Sequence, residues 1–329
     1  MLEFHRTIFL TITITSNPIH SYINSNHQTI AKMTISLKNS ITTTFHKAPY
    51  PAIDPSQPKV SAAAKTILIT AGHTGIGKSI AQNFGAAGAS NVIILGRRKK
   101  VLENAVEKLQ ASFPKTKFHS FPASIEDYPA IEKVTKEIRA TIGDIDILVT
   151  SAAYMAGFSN AIDLPMNELA SSINTNFLGN ANLVREFLGD FSPASSKSAK
   201  KEKVVIDIST AGIHLGFSTK LAAYSASKIA FTQWLAQLQL ETMDQGVRIH
   251  SVHPGAVFTD AAVGQGFEET TLEFDDVQLP GRFVVWLSSG EGRFLKGRFV
   301  WCNWDVTELE EMREEFENNE KLLKIGLMH

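Results

Sequence analysis

Tyr224 and Lys228 stand four residues apart in "AAYSASKIA" (222–230), a stretch of small and apolar residues. Residues at that spacing are neighbours on a helix surface, so an ammonium there can favour the phenolate beside it. A free phenol titrates near pH ~10, too high to exchange protons efficiently with an alcohol at neutral pH, and a neighbouring cation corrects this. The alternative for the pair alone is a solvated tyrosine and lysine on a polar helix face. Other residues have to decide between the two.

Upstream, "ILITAGHTGIGKSIAQNFG" reads as strand, glycine-rich turn and helix. Gly72, Gly75 and Gly77 supply a sharp turn, close backbone approach and a helix N-terminus whose amides and dipole favour a pyrophosphate. The next strand ends at Gly96, Arg97 and Arg98, with no carboxylate for a ribose 2′-hydroxyl. A planar guanidinium there suits a 2′-phosphate, which favours NADP(H) and leaves NAD(H) open. Before the Tyr–Lys pair, "VVIDIST" puts the hydroxyls of Ser209 and Thr210 at a strand's C-terminal end, where ligands of open α/β sheets bind.

Short apolar runs alternate with helix-length segments from Lys65 onward. Strands are expected at 66–70, 91–95, 117–121, 146–150, 203–208, 247–252 and 297–302, with helices at 77–88, 100–113, 128–143 and 227–243. Such alternation is the pattern of a parallel, doubly wound α/β sheet in one domain. Residues 1–60 are rich in Thr, Ser, Asn and Ile and end in a proline-dense stretch that disfavours helix, so they are expected to form a flexible extension, with Met33 a second plausible start. Residues 192–203 read as a solvated basic loop, and "TELEEMREEFENNEKLLK" as a charged C-terminal helix with one apolar side.

Composition narrows the function. With 32 basic and 33 acidic residues the formal charge is −1, which recommends neither nucleic acid nor an anionic membrane as partner. Cys302 is the single cysteine, so no intrachain disulfide or cysteine-built zinc cage exists, and the histidines show no metal spacing. No apolar run reaches the ~18 residues of a membrane helix, and the first twenty residues match a secretory or mitochondrial signal poorly, so a cytoplasmic location is expected.

In combination these motifs resemble the short-chain dehydrogenase/reductase family over about residues 62–310. Its Thr-Gly-x-x-x-Gly-x-Gly turn matches "TAGHTGIG" (Thr70 to Gly77, with Ile76) except at Ala71, and its Asn-Asn-Ala-Gly corresponds to "TSAA" (150–153). The family's helix asparagine is similar to Asn176 in "NFLG", and its Pro-Gly segment to "HPGAVFT" (253–259). The resemblance implies a Rossmann-like seven-stranded sheet and an alcohol–ketone oxidoreductase. Tyr224 would be the proton donor, Lys228 the group tuning it and binding the nicotinamide ribose, and Thr210, with Ser209 as fallback, the holder of the substrate oxygen. Asn176 would steady a proton-path water. Ser124 and Ile125 would lie by the adenine, Ser151 and Ala152 by the cofactor, and Pro254, Gly255, Val257 and Thr259 by its carboxamide and phosphate side. Residues 259–280 would form a lid in which Phe267, Leu272 and Phe274, with Met155 and Phe158, make an apolar wall for a hydrophobic alcohol or ketone. A homodimer or homotetramer is the family expectation. Two other readings stay open: a regulator that binds dinucleotide without turnover, and a non-redox enzyme on the same scaffold.

Overall fold

The computed structural model describes residues 40–191, 201–215 and 220–326. Seven parallel strands form one sheet in the order β3-β2-β1-β4-β5-β6-β7. They are β1 Thr66–Thr70, β2 Asn91–Gly96, β3 Lys117–Pro122, β4 Ile147–Thr150, β5 Lys203–Ile208, β6 Val247–His253 and β7 Phe299–Trp301. The order reverses between β1 and β4, which opens a crevice at the strands' carboxyl ends.

Helices cover both faces, so the central strands are apolar on both sides. Ile67 and Ile69 of β1 face α1 (Gly75–Ala86), α2 (Lys99–Ser112) and α8 (Gln278–Ser288), while Leu68 faces α3 (Tyr128–Thr141), α5 (Asn180–Leu188) and α6 (Ala222–Glu241). Between β4 and α5 come α4 (Met166–Ile173) and one wide π turn, Asn174–Gly179. After β6 comes α7 (Asp260–Gly264), which begins the stretch expected to be a lid. Arg248 of β6 donates to the carbonyls of Leu287, Ser288 and Ser289 and so closes the C-terminal end of α8.

Two expectations change. Residues 40–60, assigned to a flexible extension, are packed into the body. The prolines do exclude a long helix, but Pro51 and Pro58 each open a one-turn 3₁₀ helix, a first-turn position where a missing N–H costs nothing, and these turns plant Ile53 and Val60 in the core. The expected C-terminal helix is two short ones, α9 (Val306–Glu311) and α10 (Arg313–Asn318), whose Leu309 and Phe316 are buried. Residues 1–39, with Met33, and residues 192–200 of the basic loop lie outside the described residues. Among the described residues no helix is long and apolar enough to cross a membrane, and no cluster of three metal-ligating side chains occurs.

Candidate active site

The crevice is built from the ends of β1, β2, β3 and β4. Gly75 has φ +50°, and a Cβ on Gly77 would stand 2.6 Å from the Ala71 carbonyl oxygen, so helix α1 starts hard against β1 only because these positions are glycine. No side chain caps α1 and no acidic residue lies in its first turn. Its first-turn amides therefore have no partner from the helix's own side chains, a fit for a pyrophosphate. Gly72 serves packing instead, since a Cβ there would meet Ile94 at 2.6 Å. Ile76 sits half-buried against the same core.

Ala71 occupies a left-handed conformation, φ +53°, where the related motif has glycine. A Cβ in that region costs about 1–2 kcal/mol. Ala71→Gly is expected to raise stability by about 0.5–1 kcal/mol after its entropy cost, an upward shift of roughly 1–4 °C in the thermal midpoint. An unchanged or lower midpoint would mean the turn is not strained.

A cleft of about 390 Å³ runs from this turn across the ends of β2 and β3. Gly96, Arg97, Arg98, Ser124, Ile125 and Ala152 all line it. His73, overlooked in the sequence because it fills a variable position of the glycine turn, lies here too: its Nε2 is 3.4 Å from Arg98 and its Nδ1 is buried without a partner. Burial and the two arginines hold its pKa below the usual histidine range. Thr70 has a structural task, its fully buried hydroxyl accepting from the amides of Ser151 and Ala152 at 2.8 Å and tying β4 to β1. Ser151 in turn reaches the helix start, its Oγ lying 3.2 Å from where a Gly77 Cβ would be.

The catalytic candidates converge on β5 and α6. Lys228, 1% exposed, donates to the Ile208 carbonyl at 2.6 Å and lies 3.4 Å from Asp207, itself 0% exposed. Tyr224 sits one turn earlier, on the first turn of α6, so the two residues do share one helix. Desolvation raises its phenol above the ordinary tyrosine range, Lys228 pulls it down and Asp207 pushes it up. Asn176, fully buried in the π turn, accepts from the Tyr154 amide at 2.7 Å and donates to the Tyr154 carbonyl and to Ser227 Oγ, which donates to the Tyr224 carbonyl. It thereby locks the β4 loop to the start of α6. Its own carbonyl accepts from Asn180 Nδ2 at 3.2 Å.

Ser209 and Thr210 separate cleanly. Ser209 is 2% exposed and pairs with Thr232 Oγ1 at 3.0 Å, so it is removed from the crevice as a substrate contact. Thr210 is half-buried in extended backbone and accepts from the Gly212 amide at 3.2 Å, leaving its hydroxyl proton free for another acceptor.

Beyond β6, Pro254 is buried and Gly255 turns with φ +79°, a Cβ there falling 2.4 Å from Asp275 Oδ2. Asp275 accepts from the Ala256 amide at 2.7 Å, and Val257 bridges to it by backbone pairing. Thr259 caps α7 and touches the glycine turn, the nearest approach being 3.2 Å to a Cβ placed on Gly75. Thr74 also donates to Asp260 at 2.9 Å, so the turn and the segment after β6 close one end of the crevice. Phe158, Phe267, Phe274 and Phe258 form a chain of ring contacts at 5.6, 6.4 and 5.1 Å between successive centroids, and Gln265 donates to the Met155 carbonyl.

The family profile "short chain dehydrogenase" matches residues 65–269. The short chain dehydrogenase/reductase nsrO of Aspergillus novofumigatus is 35% identical over 268 residues, 80% of this chain and 89% of its own. A short chain dehydrogenase/reductase of Claviceps purpurea is 32% identical over 289 residues, 87% and 94% of the two chains. Among solved structures the NADP active-site complex of Pseudomonas aeruginosa RhlG superposes with a TM-score of 0.66 at 19% identity, covering 74% of this chain and 97% of that one. The chain is a member of the short-chain dehydrogenase/reductase family of oxidoreductases.

Proposed function

We propose that the chain is an NADP(H)-dependent oxidoreductase that interconverts a secondary alcohol and a ketone on an apolar small molecule. The observation that carries this is Tyr224 and Lys228 one turn apart on α6, with Lys228 bonded to the Ile208 carbonyl at the end of β5, two residues before Thr210. A nicotinamide dinucleotide, when bound, supplies or accepts the hydride. The residues fit such a group: the uncapped α1 N-terminus for its diphosphate, and Ser124, Ile125 and Ala152 for its adenosine.

Each side chain then has one task. Tyr224 gives its hydroxyl proton to the carbonyl oxygen during reduction and takes it back during oxidation. Thr210 donates to that oxygen and steadies the charge developing on it. Lys228 tunes the phenol and binds the nicotinamide ribose, while Asn176 holds the β4 loop and the start of α6 in register. Pro254, Gly255, Val257 and Thr259 shape the wall on the nicotinamide side.

The 2′-phosphate is assigned to Arg97 and Arg98, with His73 as a third group in the same cleft. The P. aeruginosa structure of the same fold was solved with NADP bound, which supports a dinucleotide of that class for this fold. Arg97→Ala is expected to weaken NADPH binding by about tenfold or more and NADH binding little, read by fluorescence titration. Equal losses for the two nucleotides would remove Arg97 from the discrimination.

The four-phenylalanine chain supports an apolar substrate under a lid of residues 259–280. A homodimer or homotetramer in the cytoplasm is part of this reading, supported by the exposed Met166 and Leu178 on the α4–α5 side. Titration with NADPH and NADH, then a screen of apolar ketones for NADPH consumption with Tyr224→Phe as control, tests the whole. Tyrosine-dependent consumption is the expected outcome. Binding without consumption across the screen would favour a dinucleotide-binding regulator.

A further inference from the structure

Residues 255–274, from the Pro-Gly turn into the lid, contain no buried residue. The first side chain to leave solvent after Pro254 is Asp275, 9% exposed. A carboxylate is a costly anchor for a surface loop, where an apolar side chain would bury without that penalty. Its contacts show what it holds. Asp275 Oδ2 accepts from the Ala256 amide at 2.7 Å, and the Asp275 amide donates to the Ala256 carbonyl at 2.7 Å. Both backbone polar groups of Ala256 are therefore taken by one residue across the root of the loop. The approach depends on Gly255, since a Cβ there would fall 2.4 Å from the same carboxylate oxygen.

On its other side this root is tied to fixed parts of the fold. The Asp276 amide donates to the Lys47 carbonyl at 2.8 Å, and His46 pairs with Asn303 through its own amide at 2.7 Å and Asn303 Nδ2 at 2.9 Å. Asp276 Oδ1 accepts from the Gln278 amide at 2.8 Å at the start of α8, and Gln278 Oε1 accepts from Asn83 of α1 at 2.9 Å. Asp275 thus stands between the turn after β6 and a frame made by α1, α8 and the segment before Pro51. Phe274 also meets Phe258 at 5.1 Å between centroids, but a ring contact does not fix the direction of an amide.

We propose that Asp275 is a positioning residue for the nicotinamide end of the cofactor: it holds the Ala256–Val257 backbone in the shape that forms the wall there, independently of the segment 260–274 that the loop encloses. This rests on reading the site as a nicotinamide-dependent oxidoreductase. Asp275 acts through the turn, so its loss loosens one end of the dinucleotide and leaves the other alone. The adenosine end lies across the crevice at the ends of β2 and β3, in a cleft to which no residue of this loop contributes.

The test compares NADPH with adenosine 2′,5′-bisphosphate, which carries the phosphorylated adenosine end and no nicotinamide, by titration of wild type, Asp275→Ala and Asp275→Asn. Asp275→Ala is expected to weaken NADPH about tenfold or more while the bisphosphate stays within about twofold, because the lost hydrogen bond to a charged group shapes one end only. Asp275→Asn, whose side-chain oxygen can still accept from Ala256, is expected to restore most of the NADPH affinity. Equal losses for the two ligands, or NADPH binding unmoved in Asp275→Ala, overturn the proposal. Hydrogen exchange of residues 255–258 without ligand gives a second reading: the Ala256 amide is expected to be protected in wild type and to exchange freely in Asp275→Ala. Free exchange in wild type overturns the proposal even if the variant fails to fold. A wild-type protein that binds neither NADPH nor NADH sinks the oxidoreductase reading instead, and the exchange contrast then still decides whether Asp275 holds the turn.

Discussion

Tyr224→Phe is expected to lower turnover about 10³-fold while leaving NADPH affinity within about twofold, because a positioned proton donor contributes about 10²–10⁴. The substitution removes one hydroxyl and keeps the ring. What fixes the start of α6 is untouched by it: Ser227 donates to the Tyr224 backbone carbonyl, and Asn176 donates to Ser227. Lys228 keeps its contacts with Asp207 and the Ile208 carbonyl. A lysine variant is a poorer probe, since it would strand the buried Asp207 carboxylate at a cost of about 3–5 kcal/mol. Steady-state turnover beside ligand titration checks the expectation. A loss below about tenfold would take the phenol out of the chemistry and pass the proton to another group.

The parts of this site that the sequence displays are those whose neighbours along the chain explain them. Strands such as β1 and β5 are buried on both faces, so "TILIT" and "KVVIDI" announce their own limits, and the glycine turn is legible because its spacing is local. Contacts across the fold are silent in one dimension. Asp207 reads as a polar residue in a strand until α6 lays Lys228 against it. Thr210 and its fallback Ser209 are adjacent hydroxyls that only the resemblance ranks until Thr232 of α6 takes Ser209. His73 stands at a position where the motif tolerates any residue, and only the fold of the β2 end around it brings Arg98 within reach. The first turn of α6 is legible only through the Tyr224–Lys228 spacing: "AAYSA" has no amphipathic pattern, and its helix is held by the burial of Ala223, Ser227 and Lys228.

The same argument predicts that a chain beginning at Ser61 will be severely destabilised, although composition marks residues 1–60 as a flexible extension. Ile53 and Val60 are 0% and 1% exposed, and burying such side chains contributes roughly 1.5–3 kcal/mol each. Tyr50 donates its hydroxyl to the Trp304 carbonyl at 3.0 Å and accepts from the Val306 amide at 2.9 Å, so its loss would strand two backbone groups where the chain leaves β7. Phe45 pairs with Trp304 by backbone bridging, His46 binds Asp305 at 2.8 Å, and Glu308 accepts from the amides of Thr43 and Thr44. Together these contacts are worth about 5 kcal/mol or more, against a typical total of about 5–15, and their removal is expected to lower the thermal midpoint by more than about 10 °C. Ile53→Ala in the full chain should account for about 2–5 kcal/mol of this by itself. A truncated protein that melts with the full-length chain would show that residues 40–60 only rest on the surface, and Ile53→Ala would then also be silent. If the truncated chain unfolds while Ile53→Ala costs little, the hold lies instead in the polar clasp of Tyr50, His46 and Glu308 on the segment from Trp304 to α9.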